Sequence, residues 1–246
     1  IVGRFVSEDA LAAVGASYSL TNVFVMIAIG SGIGASVITS QYLGAEEYGK
    51  MKTSVYTALI TFLGLGIVLG IFGFVLNRQI LVWLNTPGNI LDAAGAYLGI
   101  YFLGMPFLFM YNILSSMFNA LGDSKTPLML LIFSSVMNVI LDLWFVISFG
   151  MGVSGVAIAT VMAQGIAAVI SFALLMHRLR GFEAKEKSAV YDVKILSSMI
   201  RIAIPSILQQ SIVSIGMLLV QSVVNGFGSS VLAGYSAGTR IESLCI

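Results

Sequence analysis

The feature that most constrains this chain is the length of its stretches without lysine, arginine or glutamate. Five such stretches cover residues 10–45, 53–77, 93–122, 126–176 and 202–239, and only Asp142 places a charge inside them. A helix needs about 20 apolar residues to cross the roughly 30 Å of hydrocarbon in a bilayer, and each stretch is longer than that. The chain is therefore predicted to be an all-α polytopic membrane protein.

The overall composition supports a lipid rather than an aqueous environment. Hydrophobic residues make up 58% of the chain and charged residues 9%, whereas soluble domains average about 45–50% and about 25%. The net charge of +1 gives no basic surface for nucleic acid. The single cysteine, Cys245, excludes a disulfide framework and a cysteine-based metal site. We expect the bilayer as the surroundings and no cofactor, and nothing in the composition indicates an oligomeric state.

The apolar stretches divide into six complete crossings and the start of a seventh near Val231. The six lie near residues 13–40, 53–76, 94–119, 127–149, 153–176 and 202–224. Nine basic residues lie in alternate loops on one side: Lys50, Lys52, Lys125, Arg178, Arg180, Lys185, Lys187, Lys194 and Arg201. Because positive charge collects on the cytoplasmic side of membrane proteins, this side is predicted to face the cytoplasm of a bacterial cell.

A short internal repeat indicates that the chain is part of a longer protein. Ile1–Phe5 is similar to Val223–Phe227, at an offset of 222 residues, and each copy is followed by a Leu-Ala motif. Six crossings separate the copies, so both have the same orientation, as in transporters built from parallel repeats. We expect a transmembrane lobe at 1–176, a cytoplasmic linker at 177–200 and the start of a second six-helix lobe at 201–246.

Asp142 is the acidic residue that lies well inside a complete crossing. A carboxylate there costs at least about 2.5–3.5 kcal/mol on insertion scales, so such residues are functional candidates. Asn138 lies one helical turn earlier on the same face, and Thr160 lies on the next helix. Their oxygens suit a hard cation such as Na⁺, and burial of the carboxylate suits a proton. Alternatively, Asp142 accepts helix–helix hydrogen bonds or reaches water at the outer interface.

Other polar residues within the crossings are candidates for a substrate cavity. They are Asn22, Gln41, Tyr111, Asn112, Gln164, Gln209 and Gln210. Each could instead form hydrogen bonds between helices. Pro106 lies within a crossing, where it predicts a kink in the helix. The kink is a hinge candidate, and the alternative is that it is purely structural. The glycines at 30–34 and 64–73 predict close helix packing.

Five motifs resemble those of the multidrug and toxic compound extrusion (MATE) transporters. They are Ile1–Phe5, Leu11–Ser17, Gly122–Pro127, Asn138–Asp142 and Leu232–Arg240. The resemblance implies two six-helix lobes in a V-shaped arrangement. It also implies an antiporter that exports drugs or organic cations, typically cationic amphiphiles, in exchange for Na⁺ or H⁺.

The resemblance also implies a cation site in the first lobe. Several family members use an Asn and an Asp four residues apart, a Thr on the following helix and an Asp on the first helix. Asn138, Asp142 and Thr160 match the first three, and the fourth would precede residue 1. Other members carry an essential acid in the seventh helix, where this chain has Gln209 and Gln210 instead. That departure argues against a cation site there.

Two other functions are weighed against drug export. A flippase for lipid-linked oligosaccharides, from the same wider superfamily, would be expected to show more basic residues facing its cavity, and only Arg240 lies near a crossing. An intramembrane enzyme of lipid metabolism lacks a visible catalytic set of acids and histidines. We therefore expect a transporter and not an enzyme.

Overall fold

The computed structural model describes residues 8–83, 86, 88–183 and 188–225, which form helices joined by short connections. The α-helices are α1 (Glu8–Gly44), α2 (Tyr48–Trp83), α3 (Gly88–Leu103), α4 (Met105–Ala120), α5 (Lys125–Leu143), α6 (Gly152–Arg180) and α7 (Val193–Asn225). A π-helical turn, Trp144–Ser148, extends α5. Within the described residues, five spans are long and apolar enough to cross a membrane, and the bent pair α3 and α4 supplies a sixth if it is one span. The predicted all-α, multi-pass architecture is confirmed, while the start near Val231 lies outside the described residues.

The predicted kink in the third crossing is present, but it lies at Gly104 and not at Pro106 itself. Helices α3 and α4 meet there at 50°, and Pro106 follows within the first two positions of α4. Proline is well tolerated there, but it cannot donate the helical hydrogen bond to the carbonyl of Phe102. The bend lies at Gly104 because the backbone there approaches α6 closely, and a Cβ on this residue would collide with the side chain of Val161.

Glycines on α1 and α2 face neighbouring backbones, which confirms the predicted close packing of helices. A Cβ on Gly34 would lie 2.8 Å from the backbone nitrogen of Ala203 on α7. A Cβ on Gly70 would lie 2.6 Å from the carbonyl oxygen of Phe102. Gly64, by contrast, has nothing within 4 Å. Since lipid supplies no hydrophobic drive between helices, this close approach is an important source of packing energy.

The turn between α4 and α5 is closed by Asp123. Gly122 adopts a positive φ of 76°, and the Asp123 carboxylate accepts hydrogen bonds from the hydroxyl (2.7 Å) and the backbone N–H (3.1 Å) of Thr126. Arg178, at the end of α6, forms an ion pair with the same carboxylate. The hydrogen bonds from Thr126, followed by the charge of Arg178, lower the pKa of Asp123 from its usual value of 3.8.

The chain divides into two compact units, one ending at Ile207 and the other beginning at Leu208. The division lies within α7. The part of this helix up to Ile207 packs against Gly30 and Gly34 of α1 and therefore belongs to the first unit. The predicted linker at 177–200 contains the end of α6, at Arg180, and the start of α7, at Val193, so both of its ends are helical. The assignment of two lobes stays a prediction.

Candidate functional site

Helices α5 and α6 bring two of the three predicted cation ligands into direct contact. The side-chain amide of Asn138 donates a hydrogen bond to the hydroxyl oxygen of Thr160 at 3.2 Å. That hydroxyl in turn donates to the backbone carbonyl of Val156 at 3.0 Å. The two helices approach closely here because α6 presents small buried side chains, including Ala159 and Ala163, to α5.

Asp142 lies one turn further along α5 and is buried, with 8% of its surface exposed. Its Oδ1 atom is buried and has no hydrogen-bond partner among the described residues. A buried polar atom without a partner costs about 1–3 kcal/mol, more if charged, so this oxygen calls for an explanation.

The three side chains leave oxygen atoms that can bind a cation. Because the Asn138 amide nitrogen donates to Thr160, the Asn138 carbonyl oxygen is left as an acceptor. The Thr160 oxygen donates once and accepts once, which leaves one lone pair. Together with the Asp142 carboxylate these are the hard oxygen ligands that alkali and alkaline-earth cations prefer. The described residues contain no group of three or more His, Cys, Asp or Glu side chains placed to hold a metal ion.

A π-helical turn begins two residues after Asp142. Residues Trp144–Ser148 take this conformation, and the backbone N–H of Met151 donates to the carbonyl of Phe145 at 3.1 Å. Turns of this kind are rare and occur frequently at functional sites. Trp144 is 53% exposed and Phe149 60% exposed, as expected for aromatic residues at a membrane interface.

Tyr111 and Asn112, two of the predicted cavity residues, line one cavity of about 310 Å³ between α4 and α5. Ser115, Asn119 and Ser124 share its lining and were not predicted. Tyr111, Ser115 and Asn119 are spaced four residues apart, so they form one polar stripe along α4. That spacing was visible in the sequence and would have identified Ser115 and Asn119 as further candidates.

The remaining candidates do not line this cavity. Asn22 and Gln164 are half-buried on α1 and α6, and Gln41 is exposed near the end of α1. Gln209 and Gln210 lie on α7 after the division between the two compact units. Pro106 lies beside the 50° bend, where it was expected to act.

Comparisons with known proteins agree on one family. The family model described as MatE matches residues 1–144. The chain is 32% identical over 244 residues to "Probable multidrug resistance protein YpnP" of Bacillus subtilis, an alignment that covers 99% of this chain and 54% of that protein. It is 27% identical to "Multidrug export protein MepA" of Staphylococcus saprophyticus, covering 92% of this chain and 50% of that protein. The chain therefore spans about half the length of the curated relatives it matches.

Solved structures share the fold. A crystal structure of MATE in the straight conformation aligns with a TM-score of 0.87 at 23% identity, covering 99% of this chain and 54% of the other. The outward-facing conformation of a multidrug resistance MATE family transporter aligns with a TM-score of 0.83 at 24% identity, with coverage of 99% and 54%. The family model and the Bacillus subtilis relative confirm the predicted family resemblance. The chain belongs to the MatE family, the multidrug and toxic compound extrusion transporters, which is a family of multi-pass plasma-membrane transporters rather than of enzymes.

Proposed function

We propose that the protein containing this chain exports drugs or organic cations in exchange for Na⁺ or H⁺ by alternating access. The observation that carries the proposal is the buried, unpaired Oδ1 of Asp142, one helical turn along α5 from Asn138, which is hydrogen-bonded to Thr160. The names of the relatives, which refer to multidrug resistance and multidrug export, support the direction and the substrate class.

In this mechanism the coupling ion is a second substrate that satisfies the unpaired oxygen. A proton would bind to the Asp142 carboxylate itself, whereas Na⁺ would take oxygen ligands from Asp142, Asn138 and Thr160. Ion binding drives transport only if the ion prefers one conformation, since a ligand with equal affinity for two states shifts neither. The bend at Gly104 and Pro106 is the proposed hinge, because it joins two helical segments through a residue without a side chain.

The exported molecule is proposed to contact the cavity lined by Tyr111, Asn112, Ser115 and Asn119. Its volume of about 310 Å³ lies at the lower end of the range for small-molecule pockets. The lining combines an aromatic ring, which attracts organic cations, with amide and hydroxyl groups that can bind water or ligand. Among the described residues, its lining contains no basic side chain. A flippase for lipid-linked oligosaccharides would need basic groups for its pyrophosphate, so the cavity favours drug export.

The test is efflux of ethidium by the full-length protein in a bacterial host that lacks its own pumps. We expect Asp142→Asn to lower coupled efflux by about tenfold or more, since coupling energies of ~1–3 kcal/mol correspond to factors of 5–150. Asp92→Asn is the matched control, because Asp92 pairs with Arg78 at the surface and its side chain is 89% exposed. Imposing Na⁺ and pH gradients separately identifies the ion. Unchanged efflux in Asp142→Asn at matched expression would refute the site.

A further inference from the structure

Helices α5 and α6 form a small apolar contact next to the proposed cation site. Leu141 of α5 packs with Ala159 and Ala163 of α6 in a buried cluster that is separate from the main core. The two alanines are buried, with 0% and 1% of their surfaces exposed. Met137 and Phe145 of α5 pack against the same cluster. This contact therefore determines how closely the two helices approach at this level.

The apolar contact and the polar site form adjacent rows on the same two helices. On α5, Asn138 and Asp142 are four residues apart, and Leu141 directly precedes Asp142. On α6, Ala159 directly precedes Thr160. Residues four apart share a helix face, and adjacent residues are about 100° apart around the helix. The two rows therefore lie side by side, so a change in helix separation at the alanines also moves the polar residues apart.

The hydrogen bond between Asn138 and Thr160 has little tolerance for a wider separation. Its length of 3.2 Å is at the upper end of the usual range, and an increase of about 0.4 Å would break it. The Thr160 hydroxyl is held in place by its own hydrogen bond to the backbone carbonyl of Val156, at 3.0 Å. Without the bond to Thr160, the Asn138 amide could rotate, and its carbonyl oxygen would no longer be held in one orientation.

We propose that Ala159 and Ala163 are positioning residues for the cation site. Their small side chains hold Asn138 and Thr160 at the separation at which both oxygens can bind Na⁺ together with Asp142. This inference rests on the proposed function. The alanines do not contact the ion and act only through the distance between the helices. Metal sites depend on such support, since loss of a group that orients a ligand typically lowers metal affinity by about 10–100-fold.

The substitution Ala163→Val tests the role of the helix separation. Valine is branched at Cβ and has one strongly preferred rotamer in a helix, so its added methyl groups force the helices apart. We expect the affinity for Na⁺ to fall by about tenfold. Ala168→Val is the matched control, because Ala168 is also buried on α6, at 4% exposure, but packs in the main core. It orients no ligand, so its affinity for Na⁺ should change by less than about twofold.

A second variant, Ala163→Gly, separates loss of stability from loss of position. Glycine weakens the helix without adding volume at the contact, so the affinity for Na⁺ should stay within about twofold of the wild type.

The measurement is the unfolding midpoint of the full-length protein as NaCl replaces N-methylglucamine chloride at constant ionic strength. An ion that binds only the folded state raises stability according to the ratio of its concentration to its Kd. A purely structural change lowers the midpoint without Na⁺ but leaves the dependence on Na⁺ concentration unchanged. Ala163→Val should need about ten times as much Na⁺ as the wild type for the same stabilisation. Asp142→Asn should show no stabilisation by Na⁺.

Three results would overturn the positioning role. They are an unchanged Na⁺ dependence in Ala163→Val, an equal change in Ala168→Val, and a wild-type midpoint that does not respond to Na⁺. Ethidium efflux distinguishes these results from failure of the proposed function. If Asp142→Asn abolishes efflux while Ala163→Val keeps the wild-type Na⁺ dependence, the cation site stands and the alanine contact is only structural. If Asp142→Asn keeps wild-type efflux, the proposed function itself fails.

Discussion

The packing of α2 against the bent helix pair makes a quantitative prediction for the substitution Gly70→Ala. A Cβ at this position would lie 2.6 Å from the carbonyl oxygen of Phe102. The shortest ordinary C–H···O contacts are about 3.3 Å, so the helices would have to separate by about 0.7 Å. The obstacle is backbone and not a flexible side chain, and Pro106 prevents this carbonyl from receiving a normal helical hydrogen bond.

The matched control is Gly64→Ala on the same helix. Gly64 is exposed, and a Cβ there would meet nothing within 4 Å. Replacing glycine by alanine within a helix contributes about 0.5–1 kcal/mol through backbone entropy, and this contribution cancels when the two variants are compared. The difference between them is then the cost of overpacking, about 1–3 kcal/mol. Gly70→Ala should be less stable than Gly64→Ala by this amount.

The measurement is unfolding of the full-length protein by SDS in mixed micelles, followed by far-ultraviolet circular dichroism. Both variants and the wild type are compared at the same lipid and detergent composition. The two alanine variants would contradict this prediction if their unfolding free energies were within about 0.5 kcal/mol of each other, a range typical of surface substitutions. The contact between Gly70 and the backbone of Phe102 would then not be tight. The argument that glycines position these helices would then fail.

Two further predictions concern the hydroxyl contacts of α2 and the turn at Asp123. Thr57 is fully buried, and Thr57→Val removes the hydroxyl that accepts from the Asp192 backbone N–H. This variant should destabilise the protein by about 1–3 kcal/mol. The hydrogen bond of Thr61 to the Tyr191 hydroxyl is exposed, so Thr61→Val should cost less than about 0.5 kcal/mol. The same SDS unfolding assay compares them, and equal effects would contradict the role of Thr57. Because the folded pKa of Asp123 is below 3.8, its stabilisation is present above pH 3.8 and is lost as the pH falls through the folded pKa. Asp123→Asn should abolish this acid-dependent loss in a pH series of unfolding midpoints, whereas an unchanged pH profile would assign the acid sensitivity to other carboxylates.

The helices were predictable from the sequence, because a long apolar stretch in a bilayer must satisfy its own backbone hydrogen bonds, as an α-helix does. The grouping of Asn138 with Thr160 was also expected, since the two residues lie on consecutive helices joined by a short connection. The position of the bend was less predictable. Pro106 indicated that a kink was required, but the choice of Gly104 depends on Val161, a residue 57 positions away that no local pattern connects with it.

Features that depend on distant parts of the chain could not be predicted at all. The docking of residues 189–192 on Thr53 and Thr57 joins positions about 135 residues apart, and threonines in an apolar helix are compatible with many other roles.

The 50° bend between α3 and α4 also acts as a lever. Each segment has 16 residues and is therefore about 24 Å long. If α4 turned about Gly104 by about 10°, Tyr111 would move by about 2 Å, whereas Asn119, near the far end, would move by about 4 Å. The polar stripe would be displaced unevenly, so that a molecule bound along it would lose its contacts at one end before the other. A small rotation at Gly104 is thus amplified into a displacement of several ångströms at the far end of α4.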